Sequence, residues 1–578
     1  MTDQNEAKTR KGVPIWALAV IVIAAAAVGF LIASLIANMG ERKGESATTY
    51  TEVVKLTQTS YDPADWGKNF PGEYDGWVAT KDYKSSAHKP PTLVANEDST
   101  LPGVEPINKK FDTRDKVAAS KIQEDTRVKR LWAGFAFTID YRHARGHAYM
   151  LEDQLTTKRT TERNQPGACI HCHASTVQMW TNASTAGDNA GFNETMISGF
   201  TALNSIPYDC EATSVTPAWQ EAQPEGKNCK DINQDMESTI KMNSVDTVNG
   251  DPLGCIDCHD PDTMKLRISR PGLINAMKDL KALPEYGGIQ NFDVNKDATT
   301  QELRALVCAQ CHIEYYFAGP NKDVVFPWAK GLDIDDTLEY YNEPRFKVTN
   351  NADPNNLLPF ENVGFSDFFN PRGQKASEAQ GGAIGSIKAQ HPEYETWSSS
   401  IHAANGVTCA DCHMAYTREG SQKISNHNVQ NPLNNIEGTC GQCHTASSDV
   451  LQDRVTTINN RFKISRDAAL DSVMVLLDML ESTSPTADGP AKFKVADATL
   501  KEVRELYRQA GYYADYAYSE NSYGFHNPDY LQRVLNQSLD ASRKGQVILA
   551  QAGVEVPELA PSTNTVKNLE HANETGLK

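Results

Sequence analysis

Ten of the twelve cysteines in this 578-residue chain stand in five copies of one pattern, Cys-x-x-Cys-His. The copies are Cys169, Cys172 and His173; Cys255, Cys258 and His259; Cys308, Cys311 and His312; Cys409, Cys412 and His413; and Cys440, Cys443 and His444. Two thiols at i and i+3 lie on one side of a helical turn and can bond the two vinyl groups of one porphyrin. The histidine at i+4 then falls beneath the iron. Random placement at this composition gives roughly 0.006 matches, so five copies exclude chance and make zinc or disulfide readings remote. The pattern predicts five covalently bound haem c groups. Cys210 and Cys229 are left over, and a disulfide between them is plausible outside the cytosol.

The chemistry then depends on what lies on the far side of each iron. A haem that only relays electrons has both axial positions filled, whereas one that binds a substrate needs an open face. Nine histidines remain outside the motif ends: His88, His143, His147, His171, His391, His402, His427, His526 and His571. Counting alone permits either outcome, since a lone histidine is more often a surface or packed residue than a ligand. His171, inside the first motif, is expected to face outward.

The elements that must position these residues follow from composition and periodicity. Residues 1–12 are polar and residues 13–39 form an apolar stretch, with no charge from Val13 to Ala37. A helix of that length, at about 1.5 Å per residue, exceeds the roughly 30 Å hydrocarbon core of a bilayer, so an uncleaved single-pass transmembrane anchor is expected. Covalent haem places the bulk of the chain on the outer side of the cytoplasmic membrane and residues 1–12 inside. Residues 40–64 read as a tether and 65–448 as the haem-bearing region. Motif intervals of 86, 53, 101 and 31 residues show no repeat period. Short helical stretches such as Gly272 to Leu283 alternate with loops, and no run of alternating strands would build a sheet. Residues 449–553 carry long helical patterns at Val455–Ser482, Ala498–Ser519 and Tyr530–Ala552, suited to packing on the haem core or on a second subunit. Residues 554–578 read as a polar tail. The predicted fold class is mainly α: a loop-rich multihaem core, long C-terminal helices and an N-terminal transmembrane helix. A net charge of −18 without a basic block excludes a nucleic-acid partner, and an anionic substrate would need local positive charge.

CHIEYYF (Cys311–Phe317), KAQHPEYETW (Lys388–Trp397), GVTCADCHM (Gly406–Met414) and SNHNVQNP (Ser425–Pro432) closely resemble the ammonia-forming cytochrome c nitrite reductases. LWAGFAFTIDYRHARGH (Leu131–His147), FPW (Phe326–Trp328) and GFHNP (Gly524–Pro528) extend the resemblance to about residues 65–552. It implies second iron ligands: His427 for the second haem, His147 for the third, His526 for the fourth and His402 for the fifth. None is assigned to the first, which is thereby implied as the nitrite-binding iron. Arg159, Tyr315 and His391 match the family's pocket. Arg supplies permanent charge and fixed donors for nitrite oxygens, His391 can donate or relay protons, and Tyr315 offers a hydroxyl.

The resemblance also implies one calcium ion held by Glu314 and Gln390 side chains and the carbonyls of Tyr315 and Lys388, hard oxygen donors of the type calcium takes. From spacing alone Glu314 would read as a solvated helix residue. Many relatives carry lysine where this chain has His173, which should alter reduction potential and substrate affinity. The resemblance further implies a quinol-oxidising multihaem membrane cytochrome as electron donor and a homodimer. Two other readings stay open: a pure electron-transfer cytochrome with His88 or His143 capping the first haem, and an enzyme acting mainly on hydroxylamine or sulfite.

Overall fold

The computed structural model describes residues 52–58, 60, 62–80, 120–132, 137, 140–144, 146–150, 153–154, 157, 159, 170–173, 175, 253–318, 323–343, 387–419, 422–484 and 489–557. Of the N-terminal apolar stretch it describes 14, 17, 19–30 and 33–34. Cys169, Cys210, Cys229, His88, His571, residues 1–12 and most of the expected tether and tail lie outside the described residues.

Three long helices dominate the C-terminal part: α8 (Ser448–Ser482), α9 (Asp497–Ser519) and α10 (Pro528–Gln551). On α8, Leu470, Val473, Leu477 and Leu480 recur at three- and four-residue spacing and are buried, as an amphipathic helix requires. Each such side chain contributes about 1.5–3 kcal/mol when fully buried. On α10 the facing positions are small: Ser538 Oγ donates to Ala510 O at 2.8 Å and Ser542 and Ser472 hydroxyls meet at 2.6 Å. A Cβ at Gly545 would stand 2.9 Å from Leu476 Cδ1, so glycine is what lets α10 approach α8 this closely.

Ahead of them, α1 (Pro63–Asn69), α2 (Pro71–Ala79) and α3 (Thr126–Leu131) are short. Arg127 on α3 reaches Asp467 and Asp471 of α8, each at 2.7 Å. A second apolar cluster forms around α4 (Pro271–Ala282) and α5 (Thr300–Ala309), with Leu273, Leu306, Phe326 and Trp328 buried. Thr299 caps α5, its hydroxyl accepting from Glu302 N at 3.1 Å while Glu302 accepts from Thr299 N at 2.8 Å, a reciprocal start signal. Helices α6 (Ile334–Tyr341) and α7 (Glu393–Ser398) complete the elements used below.

The expectation of no sheet is corrected at small scale by two antiparallel ribbons. In one, β1 (Tyr316–Ala318) pairs with β2 (Asp323–Val325), Tyr316 opposite Val325. In the other, β3 (Tyr416–Glu419) pairs with β4 (Gln422–Ser425), Tyr416 opposite Ser425. Pairs this short are fixed by their neighbours, not by strand periodicity. Among the described residues no helix is long and apolar enough to cross a membrane. Residues 19–30 are helical with their large apolar side chains exposed.

Candidate active site

Every described motif is a helical turn, which is what puts its sulfurs on one side. Cys409–His413 and Ile170–His173 are α-helical, Cys255–Asp257 and Cys440–Gln442 are 3-10 turns, and Cys308 ends α5. The amides of His259, His312 and His444 donate back to the carbonyls of Cys255, Cys308 and Cys440 at 2.9, 3.0 and 2.8 Å.

Four of the five motif histidines face a second imidazole. Ring centroids are 6.2 Å apart for His259 and His427, 6.4 Å for His312 and His147, 6.3 Å for His413 and His526, and 6.4 Å for His444 and His402. A ligating imidazole nitrogen sits about 2 Å from its metal and about 1 Å from its own ring centre, so two rings trans on one iron stand about 6 Å apart. The observed spacing fits an iron between the rings of each pair. Burial favours the neutral, ligating form of His147 and His413, each pushed down to about 4, and lowers His259, His402 and His427 as well, whereas at His526 the Glu520 carboxylate outweighs burial and raises the ring. The remaining nitrogen is held as well: His259, His413 and His427 pair through Nδ1 with the carbonyls of Met264, Gln430 and Ser425, each at 2.9 Å. Such partners fix the ring and leave Nε2 for a metal.

Local structure explains the placement. The β3–β4 hairpin ends at Ser425, and His427 follows directly. His526 sits between Gly524 and the first turn of α10. Gly524 has φ +90, and a Cβ there would lie 2.7 Å from Phe462 Cβ, so only glycine makes this bend. Asn527 then caps α10 and donates to Ser399 Oγ at 3.0 Å. His526 alone among the held rings uses a carboxylate, Glu520 Oε1 at 2.5 Å.

His173 differs. Its Nδ1 meets Met150 O at 3.2 Å, and no second imidazole faces it among the described residues. Burial, then the charge of Arg159, pushes it down to about 4. Arg159 stacks over Phe137 and Tyr141, 5.0 and 5.8 Å from the ring centres, and its Nε donates to Thr157 Oγ1 at 3.4 Å. Among the described residues it pairs with no carboxylate. His391 is held well below the usual imidazole range, by burial first and then by His312, Lys121, His173 and Lys388. The first motif, Arg159 and His391 are thus brought into one neighbourhood. Tyr315 packs between the two apolar clusters.

Glu314 is fully buried, which corrects the solvated reading that spacing alone gives. Its carboxylate accepts from Gln390 N at 2.6 Å and from Tyr341 Oη at 3.0 Å. Gln390 Nε2 lies 3.5 Å from Lys388 O. One carboxylate, one amide and two carbonyls therefore come from two adjoining segments. That set fits a hard cation, and it contains only one of the side-chain types that usually mark a metal cluster. Among the described residues no group of three or more His, Cys, Asp or Glu is placed to hold a metal. Burial pushes the Glu314 carboxyl well above its ordinary range, which a bound cation would reverse.

His171 is corrected: it is buried, 1 % exposed, rather than facing outward. Its ring packs edge-on to Phe326 at 6.1 Å, and Gly272 leaves room for its Nε2. Several side chains beside the site gave no signal in the sequence. Lys388 Nζ lies 3.2 Å from Asp515 and 4.5 Å from the Trp132 ring centre. Lys121 Nζ bonds Asn521 Oδ1 at 2.9 Å and lies 5.2 Å from the Tyr141 ring centre. A buried charge in a stretch without periodicity looks like any surface charge until the chain folds.

Known proteins extend this picture. The sequence model of the family described as cytochrome c552 matches residues 62–578. The chain is 30% identical over 552 residues to a cytochrome c-552 of Bacteroides fragilis, covering 94% of this chain and 88% of that one. It is 31% identical over 556 residues to the cytochrome c nitrite reductase subunit NrfA of Nitratidesulfovibrio vulgaris, covering 93% and 86%. The solved cytochrome c nitrite reductase catalytic subunit of Desulfovibrio desulfuricans, described for its two calcium sites, superposes with a TM-score of 0.60 at 25% identity, over 89% of this chain and 92% of that one. The chain therefore belongs to the cytochrome c552 family, the nitrite-reducing oxidoreductases built on c-type haem.

Proposed function

We propose that the protein carries out the six-electron reduction of nitrite to ammonium at the first motif, with the other four motifs delivering electrons. The observation that carries this is the asymmetry of the histidines. His147, His402, His427 and His526 each face a motif histidine, while among the described residues His173 has no imidazole ring opposite it and feels the charge of Arg159 instead. In this reading each of the four pairs would hold one haem iron, and Cys169, Cys172 and His173 would hold the haem at which nitrite reacts. That haem supplies an iron to which nitrite binds and through which electrons arrive.

The chain's own residues do the rest. Arg159 is braced by two aromatic rings and by Thr157, which donates to Asp140 at 2.9 Å. With no carboxylate to neutralise it among the described residues, its charge is available to nitrite against the net charge of −18. Lys121 and Lys388 add positive potential beside Tyr141, at 5.2 and 5.3 Å from the ring centre that Arg159 also approaches. Burial first, with these cations adding to it, keeps His391 neutral at rest. A proton taken up there is held weakly and is readily passed to a reduced nitrogen or oxygen, so His391 acts as a relay rather than a store. Tyr315 is oriented by Glu314 on one side and β1 on the other. Glu314, Gln390 and the carbonyls of Tyr315 and Lys388 would hold calcium, a cation that would pin the two segments carrying Tyr315 and His391.

The same proposal places an N-terminal anchor at residues 13–39, the catalytic part on the outer side of the cytoplasmic membrane, a quinol-oxidising multihaem cytochrome as donor and a homodimer. Membrane fractionation and sedimentation test these. For the reaction, purified holoenzyme with a reduced dye should form ammonium from nitrite. Its EPR spectrum should hold one high-spin signal that nitrite alters. A wholly low-spin spectrum with no ammonium would instead mark an electron-transfer cytochrome, and faster turnover of hydroxylamine or sulfite would change the substrate.

A further inference from the structure

Covalent haem chemistry fixes the cysteines and the histidine of each motif and leaves the residue before the second cysteine free. In the first three motifs that residue is His171, Asp257 and Gln310. All three are buried, and all three meet Arg270, which is itself 0 % exposed. Arg270 Nε donates to His171 O at 3.0 Å, Nη1 donates to Asp257 Oδ1 at 2.7 Å, and the backbone N donates to Gln310 Oε1 at 3.0 Å. Its neighbour Ser269 repeats the grip, its N donating to Gln310 Oε1 at 2.8 Å and its Oγ to Asp257 O at 3.2 Å. Asp257 Oδ2 accepts from Gly254 N at 2.9 Å, which closes the second motif's turn. One arginine thus holds segments 99, 13 and 40 residues away in sequence.

A buried ion pair is a poor source of net stability, because desolvation offsets most of its attraction, so its presence calls for a role in geometry. Electron transfer between centres falls steeply with their separation, so the spacing of the motif loops sets the rate of delivery. We propose that Arg270, with Asp257 as its counter-charge, is a positioning residue for electron delivery, fixing the first motif's loop against those of the second and third. This rests on the reading of the first motif as the reaction centre. The pair also sets the local field. A cation stabilises the reduced iron and an anion the oxidised one, so each partner alone would shift the nearby potentials, and together they balance.

The test is an EPR-monitored redox titration of five-haem holoenzyme, with steady-state nitrite kinetics. Arg270→Gln should lower the first-motif potential and Asp257→Asn should raise it. A unit charge within about 10 Å changes such an equilibrium by roughly tenfold, about 59 mV for one electron. Arg270→Lys keeps the charge but loses the planar fork; it should leave the potential in place and lower kcat about tenfold at unchanged KM. Potential shifts of the same sign, or none, would overturn the inference. If the uncharged variants do not acquire haem, Arg270→Lys decides: a lowered kcat at unchanged KM supports positioning, and parent-like kcat overturns it. Failure of the function reading is separate. It would show as a parent enzyme with no high-spin signal and no ammonium, while opposite shifts remained readable in the low-spin signals.

Discussion

Replacing Lys388 with methionine keeps most of the side chain's apolar bulk and removes its charge, which isolates the buried pair with Asp515. Asp515 accepts from Trp132 Nε1 at 2.8 Å, Ala389 N at 2.8 Å, Ser519 Oγ at 3.0 Å and Lys388 Nζ at 3.2 Å. Both partners are fully buried. Burial pulls the lysine down and pushes the aspartate up, so attraction does not fully offset desolvation here. Breaking a buried pair from one side typically costs about 3–5 kcal/mol. Three neutral donors stay on Asp515 and it can take up a proton, so Lys388→Met should cost about 3 kcal/mol. Asp515→Asn strands the lysine and should cost about as much. The double variant, neutral on both sides and with an acceptor still facing Trp132, should cost no more than either single, giving a coupling of at least about 3 kcal/mol. Urea unfolding of the holoenzyme at one fixed calcium concentration measures all three, since calcium binding itself shifts stability. Additivity within about 0.5 kcal/mol would refute the reasoning. The single variants should also weaken calcium binding, because Lys388 O and Gln390 ride on the segment this pair anchors.

Burial, reinforced by Arg466, lowers the half-buried Lys463 to about 8. An unfolded lysine keeps its proton to about pH 10.4, so between about pH 8 and 10 the unfolded chain binds the extra proton and stability rises with pH. Lys463→Met should then be more stable than the parent at pH 7 by about 2 kcal/mol, after allowance for partial exposure, with the gap closing by about pH 10.5; a gap that ignores pH counts against this. Gly545→Ala should cost about 1–3 kcal/mol by overpacking against Leu476, and an unchanged urea midpoint would mean that α8 and α10 yield easily. Removing calcium with a chelator should take away nitrite turnover, with proton uptake at Glu314, and calcium but not magnesium should restore it. Full activity in protein shown by metal analysis to be calcium-free would sink that assignment.

The parts of the molecule governed by local rules were legible in the sequence. The motif spacing requires a helical turn, and every described motif is one. The apolar spacing of Phe462 to Leu480 requires a long helix, and α8 runs through it, beginning at Ser448 where the pattern suggested Val455 because its first two turns are mostly polar, with only Val450 and Leu451 apolar. The ribbons β1–β2 and β3–β4 were not legible, being three or four residues long and held by what flanks them. The reading of His171 failed for a related reason. Nothing adjacent in sequence says that Arg270, 99 residues away, will take its carbonyl, or that Gly272 and Phe326 will enclose its ring. Lys388 was legible only as a carbonyl, because its side chain finds Asp515 127 residues on.

The same contrast bears on His173, where many relatives are expected to carry lysine. A lysine has one nitrogen to give, whereas an imidazole has two, and the structure uses the second. Nδ1 of His173 meets the carbonyl of Met150, and Met150 closes the turn His147–Tyr149, its N–H donating to His147 O. His147 in turn faces His312 of the third motif. One short turn therefore orients the histidine of the first motif and presents the imidazole opposite the third. A histidine in the first motif thus gains a fixed ring plane and a tie to the third motif, through an atom that lysine lacks. Arg270 grips the same two motifs separately, at His171 and Gln310, so the first and third motifs are tied together twice, once through the His147–Met150 turn and once through Arg270.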